Sequence, residues 1–336
     1  MNDIRNRASS SVRSDEKGNK LSYQYGGVHQ SLWVDRLPRS WVPYVQLARL
    51  SPPAGLVLIY FPHLFGILHA AITYQSPVTQ VLPICVLLLG GSLFFSNAAH
   101  AWNDLIDRPI DACVARTKNR PIARGTISPK AAFIFIITQA LIAASFLLFL
   151  TPSAAIATTP TIIFTIYYPW SKRHTYFSQF VLGFCLAWGI IVGCAAVGAE
   201  QPWKDRSALC LVLVSIFWTV IYDTIYSYQD IEDDIKIGLK STAVLFGNYT
   251  KLFLWVCYGF MCTFIVLYGQ LSALGIGYYI ITLGGSLLSL GTMIASVDLK
   301  DEADCWWWFV SDFWSTGVSI AGGLVFEYVS CAHFIK

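Results

Sequence analysis

Asn103-Asp104-Leu105-Ile106-Asp107-Arg108-Pro109-Ile110-Asp111 closes a long apolar stretch, and Asp223-Thr224-Ile225-Tyr226-Ser227-Tyr228-Gln229-Asp230-Ile231-Glu232-Asp233-Asp234 closes another. The first carries three carboxylates and the second five, of twenty in the chain. Carboxylates crowded in this way repel one another, which raises their pKa values unless a cation neutralises them. A divalent metal with a diphosphate on its far side supplies that charge.

Helical geometry sorts these groups, at about 100° per residue. With Asn103 at zero, Asp107, Asp111 and Asp104 fall at about 40°, 80° and 100°, on one face. Pro109 removes a helix hydrogen bond and biases Arg108 away from helical geometry, so Asp111 is free to project differently. In the second stretch Asp230 and Asp234 flank Asp223 within about 20°. Glu232 points the opposite way, toward solvent, and Asp233 lies off the stripe. The carboxylates best placed as metal ligands are Asp230 and Asp234, with Asp223 above them.

The surroundings of these stretches set the class. The chain has 336 residues, 55% apolar and 13% charged, against roughly 25% charged in a soluble domain. Apolar runs continue from about residue 53 to the end. This composition describes a polytopic membrane protein: one integral-membrane domain, 41–336, behind a polar, disordered N-terminal arm, 1–40. The arm carries Arg5, Arg7 and Arg13, as a mitochondrial presequence does, but also Asp3, Asp15 and Glu16. Transit peptides are acid-poor, so a cytosolic tail is favoured. Nine scattered cysteines with no CxxC spacing support neither a zinc site nor a disulfide framework.

Runs long enough to cross a bilayer of roughly 30 Å fall near 54–73, 81–101, 131–150, 153–169, 177–199, 207–222, 251–268, 273–297 and 311–333. The expected fold is therefore all-α, with about nine transmembrane helices. A cytosolic N-terminus then places twenty of the 23 Lys and Arg residues on inside segments, as the positive-inside rule requires. Both acidic stretches face the cytosol. Trp306-Trp307-Trp308 fits an interfacial aromatic belt before the last span. Asn248-Tyr249-Thr250 matches a glycosylation sequon but lies on the cytosolic side.

Mg²⁺ prefers oxygen ligands and is typically held by one or two carboxylates plus substrate phosphates. Arg116-Thr117-Lys118-Asn119-Arg120-Pro121-Ile122-Ala123-Arg124 follows the first acidic stretch and offers diphosphate donors, as do Lys172 and Arg173 on the next inside loop. Loop carboxylates beside Lys and Arg are commonly plain solvated charge. Two such clusters on one side, each with helical spacing, argue for a site.

At these residues the chain resembles the UbiA family of intramembrane aromatic prenyltransferases, which includes fungal polyketide-acid farnesyltransferases and 4-hydroxybenzoate polyprenyltransferases. Asn103 to Asp111 matches the family's N-D-x-x-D-x-x-x-D motif. Arg116-Thr117 … Asn119-Arg120-Pro121-Ile122 matches its R-T-x-x-R-P segment. Asp223 to Asp234, followed by Gly238 … Lys240-Ser241-Thr242, looks like its second aspartate motif. Tyr168-Pro169 … Lys172-Arg173 resembles its Y-P-x-x-K-R loop, and Arg49 … Pro53 … Gly55 its first-helix start. Two features depart from common family patterns: Ser51-Pro52, where a charged residue often precedes the proline, and Pro109 inside the first motif.

The resemblance implies helices bundled around a central cavity open to lipid and to the cytosolic side. It implies that Asn103, Asp107 and Asp111, with Asp223, Asp230 and Asp234, hold Mg²⁺ and an allylic diphosphate. Asp107 and Asp230 would be the central catalytic carboxylates. Asn103, Arg116, Arg120, Lys172 and Arg173 would bind substrate, Arg173 by orienting an acceptor carboxylate. The implied reaction transfers an isoprenyl group, farnesyl first, to a carbon of a phenolic acid in meroterpenoid biosynthesis. The alternative is long-chain prenylation of 4-hydroxybenzoate for ubiquinone.

Among the aromatic residues Tyr167, Tyr168, Trp188, Trp218, Tyr222 and Tyr226, which offer cation–π faces, Tyr226 ranks first because it lies inside the second motif. His63, His69 and His100 are ionisable groups at membrane depth. A different class, an ion-coupled transporter, needs acids near the midplane in repeated halves. Here they lie at span ends and no inverted repeat is evident. The expected partners are the prenyl diphosphate, the aromatic acceptor and the bilayer, with no nucleic acid and no obligate protein partner. An endomembrane location is expected, with the mitochondrial inner membrane as the alternative.

Overall fold

The computed structural model describes residues 32–333, and among them every regular element is a helix. Two short helices, α1 (Leu32–Asp35) and α2 (Val42–Leu47), precede the bundle. The expected arm is thus described only over 32–40, where Val34 is buried. Residues 1–31 lie outside the described part.

The bundle comprises α3 (Ala54–Tyr74), α4 (Val78–Asp111), α5 (Pro129–Phe146), α6 (Pro152–His174), α7 (Ser178–Ala187) and α8 (Gly189–Val197), then α9 (Arg206–Ser227). After α9 come the short α10 (Ile231–Ile237) and α11 (Thr242–Phe246), then α12 (Thr250–Leu271), α13 (Ile276–Tyr278), α14 (Gly285–Ser296) and α15 (Glu302–His333). Local chemistry explains the helix starts. Ser128 and Thr151 each precede a proline and accept a hydrogen bond from the backbone N–H three residues on. These are N-caps followed by proline at a position whose N–H has no helical partner. Asp205 caps α9 through the N–H groups of Ser207 and Ala208.

Eight stretches among the described residues are long and apolar enough to cross a membrane. They match eight of the nine expected spans. The remaining one, near 153–169, is also helical as α6, 23 residues long. Its threonines and its Lys172-Arg173-His174 end make it more polar than the rest. Two spans run well past the expected limits: α4 continues to Asp111 and α15 begins at Glu302. The outward faces are apolar, with Leu148, Ile276 and Leu288 about three-quarters exposed or more, as lipid contact requires.

The core crossing is α3 on α8. A Cβ on Gly66 would lie 1.9 Å from the Ile190 carbonyl oxygen, and one on Gly193 would lie 2.2 Å from that of His63. Only glycine lets these backbones approach so closely, as small residues do in membrane helix pairs. α9 packs against α7 and α12, α4 against α5, and α15 against α3 and α14. The ends of α4, α6 and α9 that carry Asn103 and Asp111, Lys172, and Asp223 converge at one end of the bundle.

Candidate active site

Pro109 does not end α4. A proline forfeits one hydrogen bond to the carbonyl four residues back, and the helix continues two residues beyond it. Asp104, Asp107 and Asp111 all remain buried. The second motif differs from the expected unbroken stripe. α9 stops at Ser227, a tighter 3₁₀ turn spans Tyr228–Asp230, and α10 carries Asp234 until Gly238 ends it at φ 73°. Glu232 is exposed, as expected. Despite the break, Asp223, Asp230 and Asp234 line a single cavity of roughly 260 Å³ together with Asn103 and Asp111. Both acidic stretches thus meet, as does the basic loop between α4 and α5.

That loop stitches the site together. Arg116 Nε and Nη2 donate to the two Asp230 carboxylate oxygens at 2.9 and 2.5 Å, and Nη1 donates to Tyr226 Oη at 3.0 Å. Its guanidinium also lies 5.2 Å from the Tyr226 ring centroid. The Ala115 N–H donates to Asp233 at 2.9 Å. Arg120 Nη1 donates to Asp111 at 2.9 Å and to Asp104 at 3.3 Å. Burial alone would lower both guanidinium pKa values. The Asp230 carboxylate and Tyr226 beside Arg116, and Asp111 and Asp104 beside Arg120, outweigh it and hold both above the usual arginine value. Such fork-to-carboxylate pairs combine charge with fixed geometry.

Two expected site residues stand behind the wall instead of in it. Asp107 is fully buried, accepts from Lys172 Nζ, and accepts from Arg173 Nη2 at 3.3 Å. Arg173 also donates to the carbonyls of Pro169 at 2.5 Å and Ile106 at 3.2 Å. Neither Asp107 nor Arg173 lines the cavity, whereas Lys172 does. Among the described residues no three His, Cys, Asp or Glu side chains converge on one point as a metal centre, and Asp104, Asp107, Asp111 and Asp230 each turn toward an arginine or lysine. The donor chemistry still fits an oxygen-preferring cation. Asn103 Oδ1 is buried without a hydrogen-bond partner among the described residues, and it shares the cavity with four carboxylates.

Two groups that the sequence singled out without a site role also stand in the cavity wall. Arg49 Nη2 donates to Asp104 Oδ1 at 2.9 Å across 55 residues, and Arg49 also lines the cavity. Its φ of 52° is left-handed, a strained conformation that surrounding structure must hold. The signal available was the arginine just before Ser51-Pro52-Pro53. His63, in mid-span, lines this cavity as well. Of the aromatic candidates, Tyr168, Tyr222 and Tyr226 line it. Trp218 is buried in the core, and Trp188 donates to the Ala157 carbonyl. His69 pairs with Asp205 and Tyr268 at the other end of the bundle. All nine cysteines are free.

A second cavity, roughly 350 Å³, adjoins the first. Its lining is almost wholly apolar, from α4, α5 and α6, and it shares His63, Phe95, Ala99, Thr161 and Thr165 with the charged cavity. A charged chamber and an oily one therefore share a wall at membrane depth.

A sequence model of the UbiA prenyltransferase family matches residues 56–317. The mitochondrial 4-hydroxybenzoate polyprenyltransferase of Schizosaccharomyces pombe is 33% identical over 298 residues, covering 89% of this chain and 83% of that protein. The UbiA prenyltransferase claS of Ampulloclitocybe clavipes is 34% identical over 288 residues, covering 85% and 91%. A solved UbiA homolog from Archaeoglobus fulgidus, bound to GPP and Mg²⁺, superposes with a TM-score of 0.63 at 18% identity, covering 86% of this chain and 99% of that one. Matched along most of its length and a third identical to its relatives, this membrane-helical chain belongs to the UbiA prenyltransferase family.

Proposed function

We propose that this enzyme transfers an isoprenyl group, farnesyl by preference, from an allylic diphosphate to a ring carbon of a phenolic acid, in secondary metabolism. One observation carries the proposal: both aspartate motifs and the basic loop line a charged chamber that adjoins an apolar one through five shared residues. That division matches a substrate with an anionic head and a hydrocarbon tail. Asn103, Asp111, Asp223, Asp230 and Asp234 are the groups that would hold Mg²⁺ with the diphosphate. When bound there, Mg²⁺ supplies Lewis-acid neutralisation of leaving-group charge.

The chain's own residues do the rest. Arg116 and Arg120, preset by Asp230 and Asp111, offer forked donors to diphosphate oxygens. Lys172 reaches the same chamber while Asp107 holds its ammonium, so Asp107 acts through Lys172. Arg173 braces Asp107 from behind. The Tyr226 ring, packed 4.7 Å from Phe309, offers a face to the allylic cation. The apolar chamber takes the prenyl tail and keeps water from the electrophile. With both motifs on the cytosolic side, the acceptor enters from the cytosol and the prenyl chain from lipid.

The relatives named as mitochondrial 4-hydroxybenzoate polyprenyltransferases favour a second reading: a long polyprenyl chain and 4-hydroxybenzoate, at the mitochondrial inner membrane instead of an endomembrane. Membranes containing the protein, incubated with Mg²⁺, prenyl diphosphates of graded length and a panel of phenolic acids, separate the two by product mass. A farnesylated polyketide-type acid is expected, with Asp230→Ala inactive. Diphosphate release that is insensitive to chelation, or no ring-prenylated product from any pair, would refute the proposal.

A further inference from the structure

Replacing a ring hydrogen by a prenyl group leaves one proton over, and some base must take it. His63 stands where that proton would appear. It is one of five residues shared by the charged and the apolar chambers. A diphosphate held in one and a hydrocarbon tail in the other place the reacting allylic carbon at their boundary. This inference therefore rests on the function proposed above. Of the other shared residues, Phe95 and Ala99 have no proton acceptor in their side chains, and Thr161 and Thr165 have only hydroxyls of negligible basicity.

The hydrogen bonding of His63 determines which nitrogen is available. Nδ1 lies 2.9 Å from the Ile59 carbonyl oxygen in the preceding turn. A carbonyl can only accept, so Nδ1 bears the hydrogen. In the neutral ring Nε2 then carries the lone pair, and among the described residues Nε2 has no hydrogen-bond partner. The ring is held in place by the crossing helix. A Cβ on Gly189 would lie 2.8 Å from Nδ1 and 2.9 Å from Cε1, so α8 presents bare backbone against the imidazole. An ionisable group at membrane depth, held in one tautomer and facing a chamber, is a candidate for a functional role.

We propose that His63 Nε2 is the base that removes the aromatic proton. The C–O bond of the allylic diphosphate breaks and its electron pair leaves with the diphosphate. A ring π pair forms the new C–C bond to the allylic carbon. The C–H pair at that ring carbon then returns to the ring, the proton passes to Nε2, and His63 becomes imidazolium with Nδ1–H still bonded to Ile59. That proton leaves to solvent through the charged chamber after product departs. The four carboxylates in the chamber are less suited: Asp111 and Asp230 are engaged by Arg120 and Arg116, and all four, Asp223 and Asp234 included, are the groups assigned above to Mg²⁺.

The test uses His63→Gln and His63→Asn in the full-length protein, assayed in membranes with the prenyl diphosphate and acceptor that the wild type couples. The acceptor is supplied with hydrogen or deuterium at the prenylated ring position. Expected are a loss of coupling of about 100-fold, a primary isotope effect in the variants that is absent in the wild type, and diversion of prenyl diphosphate to the free alcohol. The isotope effect is a ratio read on whatever protein is folded, so partial misfolding does not mask it. Unchanged coupling, or slow coupling with no isotope effect, would mean that another group takes the proton and would overturn the assignment while leaving the prenyl-transfer function intact. A wild type that prenylates no aromatic ring would overturn both.

Discussion

Removing Arg116 and Asp230 together should cost clearly less than the sum of removing each alone. The pair joins two distant segments through two charge-assisted bonds, with a third bond from Arg116 to Tyr226. Both side chains are mostly shielded, Arg116 at 4% and Asp230 at 15% exposure. Breaking a buried pair by deleting one member strands the other, at a cost of about 3–5 kcal/mol. The cavity is open to water on one side, which favours the lower end, about 3 kcal/mol. For a chain of 336 residues, at about 2.1 cal/mol/K of unfolding entropy per residue, that corresponds to a fall in melting temperature of about 4 °C. Arg116→Ala with Asp230→Ala removes both charges at once, so the double variant should lose about 4 kcal/mol where the single losses sum to about 6 kcal/mol, a coupling energy of about 2 kcal/mol. Arg116→Lys keeps the charge but not the fork and should fall between. The assay is thermal unfolding of the detergent-solubilised protein, followed by tryptophan fluorescence across the four-protein cycle. Losses that add within about 0.5 kcal/mol would show that the two segments are not coupled and that the clamp is not a structural unit.

Two further outcomes follow from packing and from charge. Gly66→Ala places a methyl 1.9 Å from a backbone oxygen that cannot swing aside, so it should destabilise by about 1–3 kcal/mol or more. Gly259→Ala, where a Cβ meets nothing within 4 Å, should be neutral or slightly stabilising by the same melting assay. At the far end of the bundle, the His69 hydrogen bond holds the Asp205 carboxyl well below its usual value, with Ser207 adding to it. A depressed carboxyl contributes stability that is complete above its unfolded pKa of about 3.9 and is lost as pH falls further. Asp205→Ala should therefore lower the melting temperature at neutral pH, and the gap to wild type should close in acid below about pH 4. A gap that persists unchanged at low pH would assign the effect to the helix cap alone.

Local patterns carried the fold a long way. The apolar runs located eight membrane-length helices, and the Ser-Pro and Thr-Pro pairs mark where α5 and α6 begin. The angular spacing of Asp104, Asp107 and Asp111 survived the proline, because a helix can forgo one hydrogen bond near its end at modest cost. What escaped was non-local. Nothing within ten residues of Asp107 says that Lys172 and Arg173, 65 and 66 residues on, will cover it. The same holds for Arg49 and Asp104. A residue pattern reports which face a side chain occupies, but not which of several facing cations reaches it first. The importance of His63 was hidden for another reason. Its position at a boundary between two chambers depends on where α4, α5 and α6 part, and that is a property of the assembled bundle.

The 3₁₀ turn at Tyr228–Asp230 gives the second motif a joint. Above it Asp223 belongs to a long, membrane-anchored rod. Below it Asp234 rides a seven-residue helix that is tethered to the opposite loop through Arg116 and the Ala115 amide. A guest that draws Arg116 away from Asp230 would loosen that tether. The lower carboxylates would then be free to regroup around the newcomer, while the upper one kept its place as a fixed reference.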